Sequence, residues 1–214
     1  MNVSRRIPTV DFADLLGDKH QQERFVQAVG DSLKDIGFFA LKNHGIDLDL
    51  IEQSYEQSDV FFSLPKTTKQ RYLQPEISHQ RGYTAFGVEH AKDNDAPDLK
   101  EFWHVGRDLE KNDPYRKWMH DNLEVSDISY FKEKTNQLFL QFDELGNELL
   151  KAISLYLNLQ PDYFKSITNK GNSVMRVIHY PPINSIDIGE RAGAHEDINL
   201  ITLLIGCLLY TSPS

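Results

Sequence analysis

The longest regular pattern in this chain is a run of apolar residues at helical spacing between about Asp127 and Leu157. An apolar residue recurs every three or four positions, which is typical of one buried face of an α-helix. At about 1.5 Å per residue, such a helix would cross a whole domain. The pattern predicts a core helix that braces a sheet rather than a cofactor-binding box. The positions in the stripe are Ile128, Phe131, Leu138, Phe142, Leu145, Leu149 and Ile153.

Shorter patterns before and after this helix predict a mixture of helices and strands. Helical spacing predicts amphipathic helices over 21–36 and 48–62, with Gly37 and Pro65 placed to end them. The second of these would bury Leu48, Ile51, Tyr55 and Phe62. Short strands are predicted at 7–12, 38–42, 81–83, 99–103 and 173–180, and a short helix at 162–167.

Composition narrows the classes of function. The chain has 214 residues and a net charge of −9, and its charges are mixed along the sequence, so nucleic acid is not expected as a partner. No apolar h-region follows the basic residues near Met1, and no apolar run is long enough to span a bilayer. The single cysteine, Cys207, excludes an internal disulfide and fits a reducing compartment. These features predict a cytoplasmic protein that does not act at a membrane.

A His and a carboxylate lie two residues apart, at His195 and Asp197, directly before the apolar run 198–205. If that run is a strand, residues i and i+2 project from the same face. The pair would then supply two ligands of the 2-His-1-carboxylate triad that holds Fe(II). The alternative is a surface turn with two polar residues. The metal site is favoured because no other histidine here has a carboxylate two positions on, and because a rigid strand would support the ligands.

Longer motifs resemble the isopenicillin N synthase-like family of Fe(II)/2-oxoglutarate-dependent oxygenases. Their order and spacing match the family as well as their content, over roughly residues 7 to 206. The matching segments are IPTVDF from Ile7, GFFALKNHGI from Gly37, FFSLPKTTKQRY from Phe61, RGYTAFGVE from Arg81, DLKEFWHVG from Asp98, RVIHYPP from Arg176 and HEDINLITLL from His195.

The resemblance implies an α+β fold: an N-terminal α/β region and a long bracing helix with an incomplete double-stranded β-helix, or jelly roll. It implies a non-haem dioxygenase N-terminal region at 1–110 and the long helix with the start of the oxygenase domain at 111–206. The activity implied is oxidation of a small-molecule substrate, by hydroxylation, desaturation or ring closure, with Fe(II), 2-oxoglutarate and O2, giving succinate and CO2. No oligomeric state is predicted.

The resemblance also implies roles for single residues. His195 and Asp197 match the first two iron ligands, and Tyr180 matches a tyrosine that binds 2-oxoglutarate. Members often carry Asn two residues before that tyrosine, where this chain has Ile178. Thr202 is expected to pack, His44 to stabilise a turn, and His179 to be a packed or surface residue. Four aromatic residues would line either a pocket or the core: Tyr83, Phe86, Phe102 and Trp103.

The chain departs from the family after Gly206. No histidine or arginine follows Asp197, so the distal His ligand and the Arg that would bind 2-oxoglutarate are missing. Residues 207–214 are interpreted as a non-native tail, and the chain as a C-terminally truncated oxygenase. We expect it to bind iron weakly, to be inactive alone and to leave an apolar strand edge exposed. The alternatives are an oxidase of the same family that uses no 2-oxoglutarate, and a non-catalytic binding module or fragment.

Overall fold

The structure, a computed structural model, describes residues 6–89, 97–183, 191, 197 and 199–206. The residues of the predicted tail, 207–214, lie outside these ranges. Among the described helices, none has the length and apolar character that a membrane span requires. The helices are α1 Lys19–Asp35, α2 Leu48–Ser63, α3 Lys66–Lys69, α4 Phe131–Tyr156 and α5 Lys165–Thr168, and the strands are β1 Thr9–Asp11, β2 Ala40–Lys42, β3 Gly82–Thr84, β4 Glu101–Gly106 and β5 Val174–His179.

The first sheet joins β1 to β2 in parallel, with Val10 opposite Leu41. The helix α1 connects these strands and begins with a capping box in which Asp18 and Gln21 bond each other's backbone N–H. It ends as predicted at Gly37, whose φ of 82° is accessible to glycine without strain. The predicted structural role of His44 is confirmed, since its Nδ1 accepts a hydrogen bond from the Ile46 N–H at 3.1 Å.

The helix α2 forms where predicted, and Phe62 of the predicted stripe is buried. Leu48, expected in the core, is 69% exposed, and Leu50 and Phe61 are buried instead. Two serines complete the buried face, and the hydroxyl of Ser58 bonds the carbonyl of Ser54 at 2.6 Å. Because this bond satisfies the hydroxyl within the helix, Ser58 is buried at little cost. The predicted stripe was therefore wrong at Leu48, and it missed the buried serines because it counted only apolar residues.

The predicted long helix is confirmed as α4, although it begins at Phe131 rather than near Asp127. Tyr130 has a φ of 64°, in the left-handed region, and this conformation interrupts the helical pattern before Phe131. Of the predicted stripe, Phe131, Leu138, Leu145 and Leu149 are buried within the helix.

The second sheet is antiparallel, with the strand order β3-β4-β5. Across it, Thr84 lies opposite Phe102, and Phe102 opposite Ile178. Successive side chains point to opposite faces. One face carries Tyr83, Trp103 and Val177, which pack with Phe61 of α2 and Phe131 of α4. This side of the sheet forms one of the two hydrophobic clusters of the described structure.

We call the opposite side of this sheet the site face. It carries residues from all three strands, and Tyr180 continues the alternation of β5 just beyond its end. Ile178 is 38% exposed and Tyr180 is 37% exposed, so this face is not part of the core. Its residues are Thr84, Phe102, His104, Arg176, Ile178 and Tyr180.

The apolar run after Asp197 is not a hydrogen-bonded strand in the described residues 199–206, which corrects the prediction. A strand needs a paired neighbour, and no described residue forms a ladder with this segment. Alternate side chains are nevertheless buried in part: Ile201, Leu203 and Ile205 pack against the second cluster, which includes Leu138 and Leu145 of α4. Between them, Leu204 is 84% exposed.

Two helical glycines should respond in opposite ways to replacement by alanine. A Cβ at Gly30 of α1 would overlap the Tyr156 ring, whereas a Cβ at Gly146 of α4 would lie 3.7 Å from the nearest described atom, on Leu203. We expect Gly30→Ala to lower the free energy of unfolding by about 1–3 kcal/mol through overpacking. Gly146→Ala should raise it by about 0.5–1 kcal/mol. Urea unfolding measures both, and equal effects of the two changes would contradict this packing.

Candidate functional site

Tyr180 lies at the end of β5 on the site face. Its ring centroid is 5.9 Å from the guanidinium carbon of Arg191. Ile178 projects from the same face two residues earlier, and its side chain offers no hydrogen bond. The tyrosine hydroxyl is therefore the hydrogen-bonding group that follows Ile178 on the site face at this end of the sheet.

Asp197 has a described contact with the segment that follows it. The hydroxyl of Thr202 donates to Asp197 Oδ2 at 2.6 Å and accepts from Asn199 at 3.0 Å. Thr202 is exposed, so its predicted packing role was wrong. The alternation of the segment turns Ile201 and Leu203 inward and leaves Thr202 on the side of the carboxylate. His195 lies outside the described residues.

The described ranges contain no group of three His, Cys, Asp or Glu side chains that could hold a metal ion. They contain one predicted ligand, Asp197, whose carboxylate is exposed and oriented by Thr202. An imidazole and a carboxylate are donors that Fe(II) accepts in non-haem oxygenases. By the chemistry of their side chains, His195 and Asp197 fit two positions of such a site.

A buried carboxylate, Glu101 of β4, joins several elements beneath the site face. The Lys69 ammonium of α3 donates to its two oxygens at 2.8 and 3.0 Å, and also to the Phe62 carbonyl at 2.8 Å. The Tyr83 hydroxyl donates to the same carboxylate, and His179 Nδ1 lies 2.9 Å from it. His179 also stacks on the Phe62 ring, which confirms it as a packed residue.

These contacts determine the protonation states of Glu101 and Tyr83. Burial alone would raise the pKa of Glu101, but hydrogen bonds from His179, Lys69 and Tyr83 outweigh it and hold that pKa below its usual range. Burial, together with the bond to Glu101, raises the pKa of Tyr83. Glu101 is thus a carboxylate and Tyr83 a neutral hydroxyl. This network stabilises the sheet and is not a source of protons.

A cavity of about 230 Å³ opens on the site face. Phe102, buried and 2% exposed, lines it, whereas Tyr83 and Trp103 belong to the core and Phe86 is 38% exposed. Of the four aromatic candidates, Phe102 is therefore the one that lines this cavity. The remaining lining residues are Ser78, His79, Thr84, Val88, Glu89, His104 and Arg176.

The hydrogen bonds of His104 fix its tautomer. Arg176 Nε can only donate, and it lies 2.9 Å from His104 Nε2. Nε2 is therefore the acceptor, and the proton is on Nδ1, which donates to the His79 carbonyl at 2.7 Å. Burial lowers the pKa of His104 to about 4, and the positive charge of Arg176 contributes to the shift. The imidazole is neutral at physiological pH.

Arg176 reaches across the cavity wall. Its guanidinium carbon lies 4.2 Å from the Phe102 ring centroid, and Nη1 donates to Glu89 at 3.1 Å. Glu89 is shared with Lys100 at 2.8 Å, and Lys100 also pairs with Asp98 at 2.8 Å.

Apart from Phe102, sequence reasoning did not identify the residues that line this cavity. One signal was available: Arg176 lies four residues before Tyr180, so strand alternation places both on one face. The positions of Thr84 and His104 depend on the register between strands, which no local pattern reveals.

Comparison with known families supports the resemblance seen in the motifs. The model of a family described as non-haem dioxygenase in morphine synthesis N-terminal matches residues 7–126. Among curated proteins, a 2-oxoglutarate-Fe(II) type oxidoreductase of Aspergillus fumigatus is 26% identical over 92% of this chain and 62% of its own length. Another such oxidoreductase, hxnY of Emericella nidulans, is 28% identical over 92% of this chain and 60% of its own length. The chain spans about three fifths of the length of these curated relatives.

Solved structures agree with this comparison. A Caulobacter crescentus protein, assigned to the 2OG-Fe(II) oxygenase family, has a TM-score of 0.78 and 40% identity over 90% of this chain and 61% of that one. A full-length Neurospora crassa protein, solved in complex with alpha-KG and thymine, has a TM-score of 0.69 and 31% identity, over 82% of this chain and 55% of its own. The described part of the chain thus shares its mixed helix-and-sheet fold with structures of 2OG-Fe(II) oxygenases.

The Glu101 network predicts a large cost for removing its cation. Lys69→Met would leave the buried carboxylate without its positive partner, so we expect the free energy of unfolding to fall by about 3–5 kcal/mol. Lys66→Met is the matched control, because Lys66 lies on the same helix and is exposed, and its effect should stay within about 0.5 kcal/mol. Denaturant unfolding of both variants decides the matter. Similar losses would show that the ion pair contributes little.

The lowered pKa of His104 predicts a dependence of stability on pH. Between the unfolded value near 6.5 and the folded value of about 4, the unfolded chain binds more protons, so stability falls as the pH falls through this window. We expect His104 to account for about 2–3 kcal/mol of that loss. In His104→Asn, the fall in the free energy of unfolding over this pH window should be smaller by about 2–3 kcal/mol than in the parent protein. In His20→Asn, which changes an exposed residue, the fall should equal that of the parent. Identical pH profiles for all three proteins would refute the buried, neutral imidazole.

Proposed function

This chain belongs to the family described as non-haem dioxygenase in morphine synthesis N-terminal, and we propose that it supplies most of the site of an Fe(II)/2-oxoglutarate-dependent oxygenase. The observation that carries the proposal is the family match together with a His-x-Asp pair at the expected place. The relatives named for 2-oxoglutarate and Fe(II) support it. Since the chain spans about three fifths of those relatives, the activity of the whole protein is part of this proposal.

The proposed fold is an N-terminal α/β region and a long bracing helix with an incomplete double-stranded β-helix, and the antiparallel sheet β3-β4-β5 contributes strands from both regions. We assign residues 1–110 to the N-terminal region, 111–206 to the long helix and the start of the oxygenase domain, and leave 207–214 outside both. The boundary at 110 falls between β4 and β5, which pair in one sheet. The two regions would therefore fold as one unit, braced by α4.

His195 and Asp197 would hold the iron. In this role they are ligands and not acid–base groups. Thr202 would orient the carboxylate through the hydrogen bond to Oδ2, as outer residues do for metal ligands elsewhere. When bound there, the iron would activate O2, so that one oxygen atom converts 2-oxoglutarate into succinate and CO2 while the other is used to oxidise a substrate C–H bond.

Tyr180 would bind 2-oxoglutarate by donating its hydroxyl proton to a carboxylate oxygen. Its place just beyond the end of β5, two residues after the apolar Ile178, makes it a hydrogen-bonding group of this strand end on the site face. The substrate is proposed to be a small molecule, in line with the Neurospora crassa protein, whose structure holds thymine.

Metal binding tests this proposal directly. Anaerobic calorimetric titration of the 214-residue chain with Fe(II) should give weak binding that His195→Ala and Asp197→Ala each reduce by at least about tenfold. His20→Ala, at an exposed position, should leave the affinity unchanged. With iron present, Tyr180→Phe should weaken 2-oxoglutarate binding about three- to tenfold, the equivalent of one hydrogen bond.

Tyr163→Phe is the matched control for the cosubstrate, since Tyr163 is 52% exposed and distant in sequence from the site. Iron affinity that does not depend on His195 and Asp197 would refute the proposed metal site. Iron binding without any effect of 2-oxoglutarate would favour the oxidase or the non-catalytic module instead.

A further inference from the structure

The cavity on the site face contains a polar group that no described residue satisfies. Thr84 is 4% exposed and lines the cavity, yet its Oγ1 has no hydrogen-bond partner within the described ranges. A buried hydroxyl without a partner lowers stability. A ligand in the cavity could satisfy it as either donor or acceptor.

Arg176 supplies a second polar group. Its Nε donates to His104 and its Nη1 to Glu89. The other terminal nitrogen, Nη2, donates to no residue in the described part of the chain, and the side chain is held flat against Phe102. Because its position is fixed by these contacts, the guanidinium can donate to an acceptor without losing further conformational freedom.

The two charged side chains that line the cavity, Arg176 and Glu89, form an ion pair with each other. Arg176 and Lys100 are positive, Glu89 and Asp98 are negative, and the four form a chain of ion pairs. His104 is neutral, with its lone pair bonded to Arg176 and its proton to His79. A charged ligand would thus lose its hydration without gaining a counter-charge, which is costly in a partly buried site.

The apolar lining residues and the volume of the cavity further restrict the shape and size of a ligand. Phe102 and Val88 give an apolar wall, and the volume of about 230 Å³ lies below the range of about 300–1,000 Å³ of pockets for drug-sized ligands. Arg176 and Tyr180 are four residues apart on one face, so the cavity and the proposed cosubstrate contact are separated by about 13 Å along the strand.

We propose that this cavity binds the organic substrate, and that the substrate is a small neutral molecule. It would present a hydrogen-bond acceptor to Arg176, a polar group to Thr84 and an apolar face to Phe102. The assignment of the ligand as substrate rests on the proposed function, because it depends on Tyr180 and the iron ligands lying at the same face.

Matched neutral and anionic probes test the charge preference. Binding of benzamide against benzoate, and of uracil against orotate, is measured by saturation-transfer NMR titration of the 214-residue chain without iron or 2-oxoglutarate. We expect both neutral probes to bind and each carboxylate to bind at least about tenfold more weakly, since the cavity offers no net counter-charge. Equal or tighter binding of the carboxylates, or no binding of either neutral probe, would overturn the proposal.

Two variants locate the binding. Thr84→Val should weaken binding of the neutral probes by about three- to tenfold, while the variant unfolds at a higher denaturant concentration because an unpaired hydroxyl is lost. Arg176→Met should weaken binding at least as much. The controls Thr67→Val and Arg24→Met change exposed residues and should bind as the parent does. Unchanged affinity in both cavity variants would place the probes elsewhere and refute the assignment.

The probe titrations and the iron titration test two separate proposals, so either can be refuted without the other. A chain that binds Fe(II) through His195 and Asp197 but no neutral probe retains the proposed function and refutes the cavity. A chain that binds the probes at Thr84 and Arg176 but no iron retains a neutral-ligand site and refutes its assignment as the substrate site of an oxygenase.

Discussion

The carboxylate of Glu101 joins three strands and a helix of this protein through side-chain contacts. Lys69 reaches it from α3, Tyr83 from β3 and His179 from β5, so the sheet is fixed to the helical layer at one buried point. Burying an ion pair is expensive, and here the cost is offset because the carboxylate accepts hydrogen bonds from all three partners. Glu101 lies opposite His179, so these contacts add to the backbone ladder in holding the register that sets which residues lie on the site face.

Strand alternation gives the two faces of this sheet separate tasks. The face with Tyr83, Trp103 and Val177 packs against α2 and α4 and provides rigidity. The site face carries polar side chains whose positions are set by the same backbone, with Arg176 held by three contacts and Tyr180 at the strand end. A rigid sheet that is packed on one side and polar on the other is suited to position a ligand. This arrangement links the stability of the core to the geometry of the proposed site.

The sequence was informative where one local signal decides the structure. The stripe from Phe131 to Leu149 predicted α4 because a regular apolar face must be buried. Motifs alone led to the His195-x-Asp197 pair and Tyr180 as site residues, and their roles stay predictions. Prediction failed where burial depends on a neighbour. Ser58 is buried because its hydroxyl bonds within α2, and Tyr130 delays α4 through its left-handed backbone. The cavity could not be predicted, since Thr84, His104 and Arg176 are brought together by pairing between distant strands.

The proposed function and the substrate assignment both require the metal ligands to lie at the site face rather than at the core face. Paramagnetic broadening of side-chain NMR signals by Mn(II) tests this requirement most directly, with Mg(II) as the diamagnetic reference. Ile178 and Val177 are adjacent on β5 but project to opposite faces, so they form a matched pair. The account predicts that Mn(II) broadens the methyl signal of Ile178 more than those of Val177, and that Asp197→Ala abolishes the difference. Equal broadening, or stronger broadening of Val177, would contradict it.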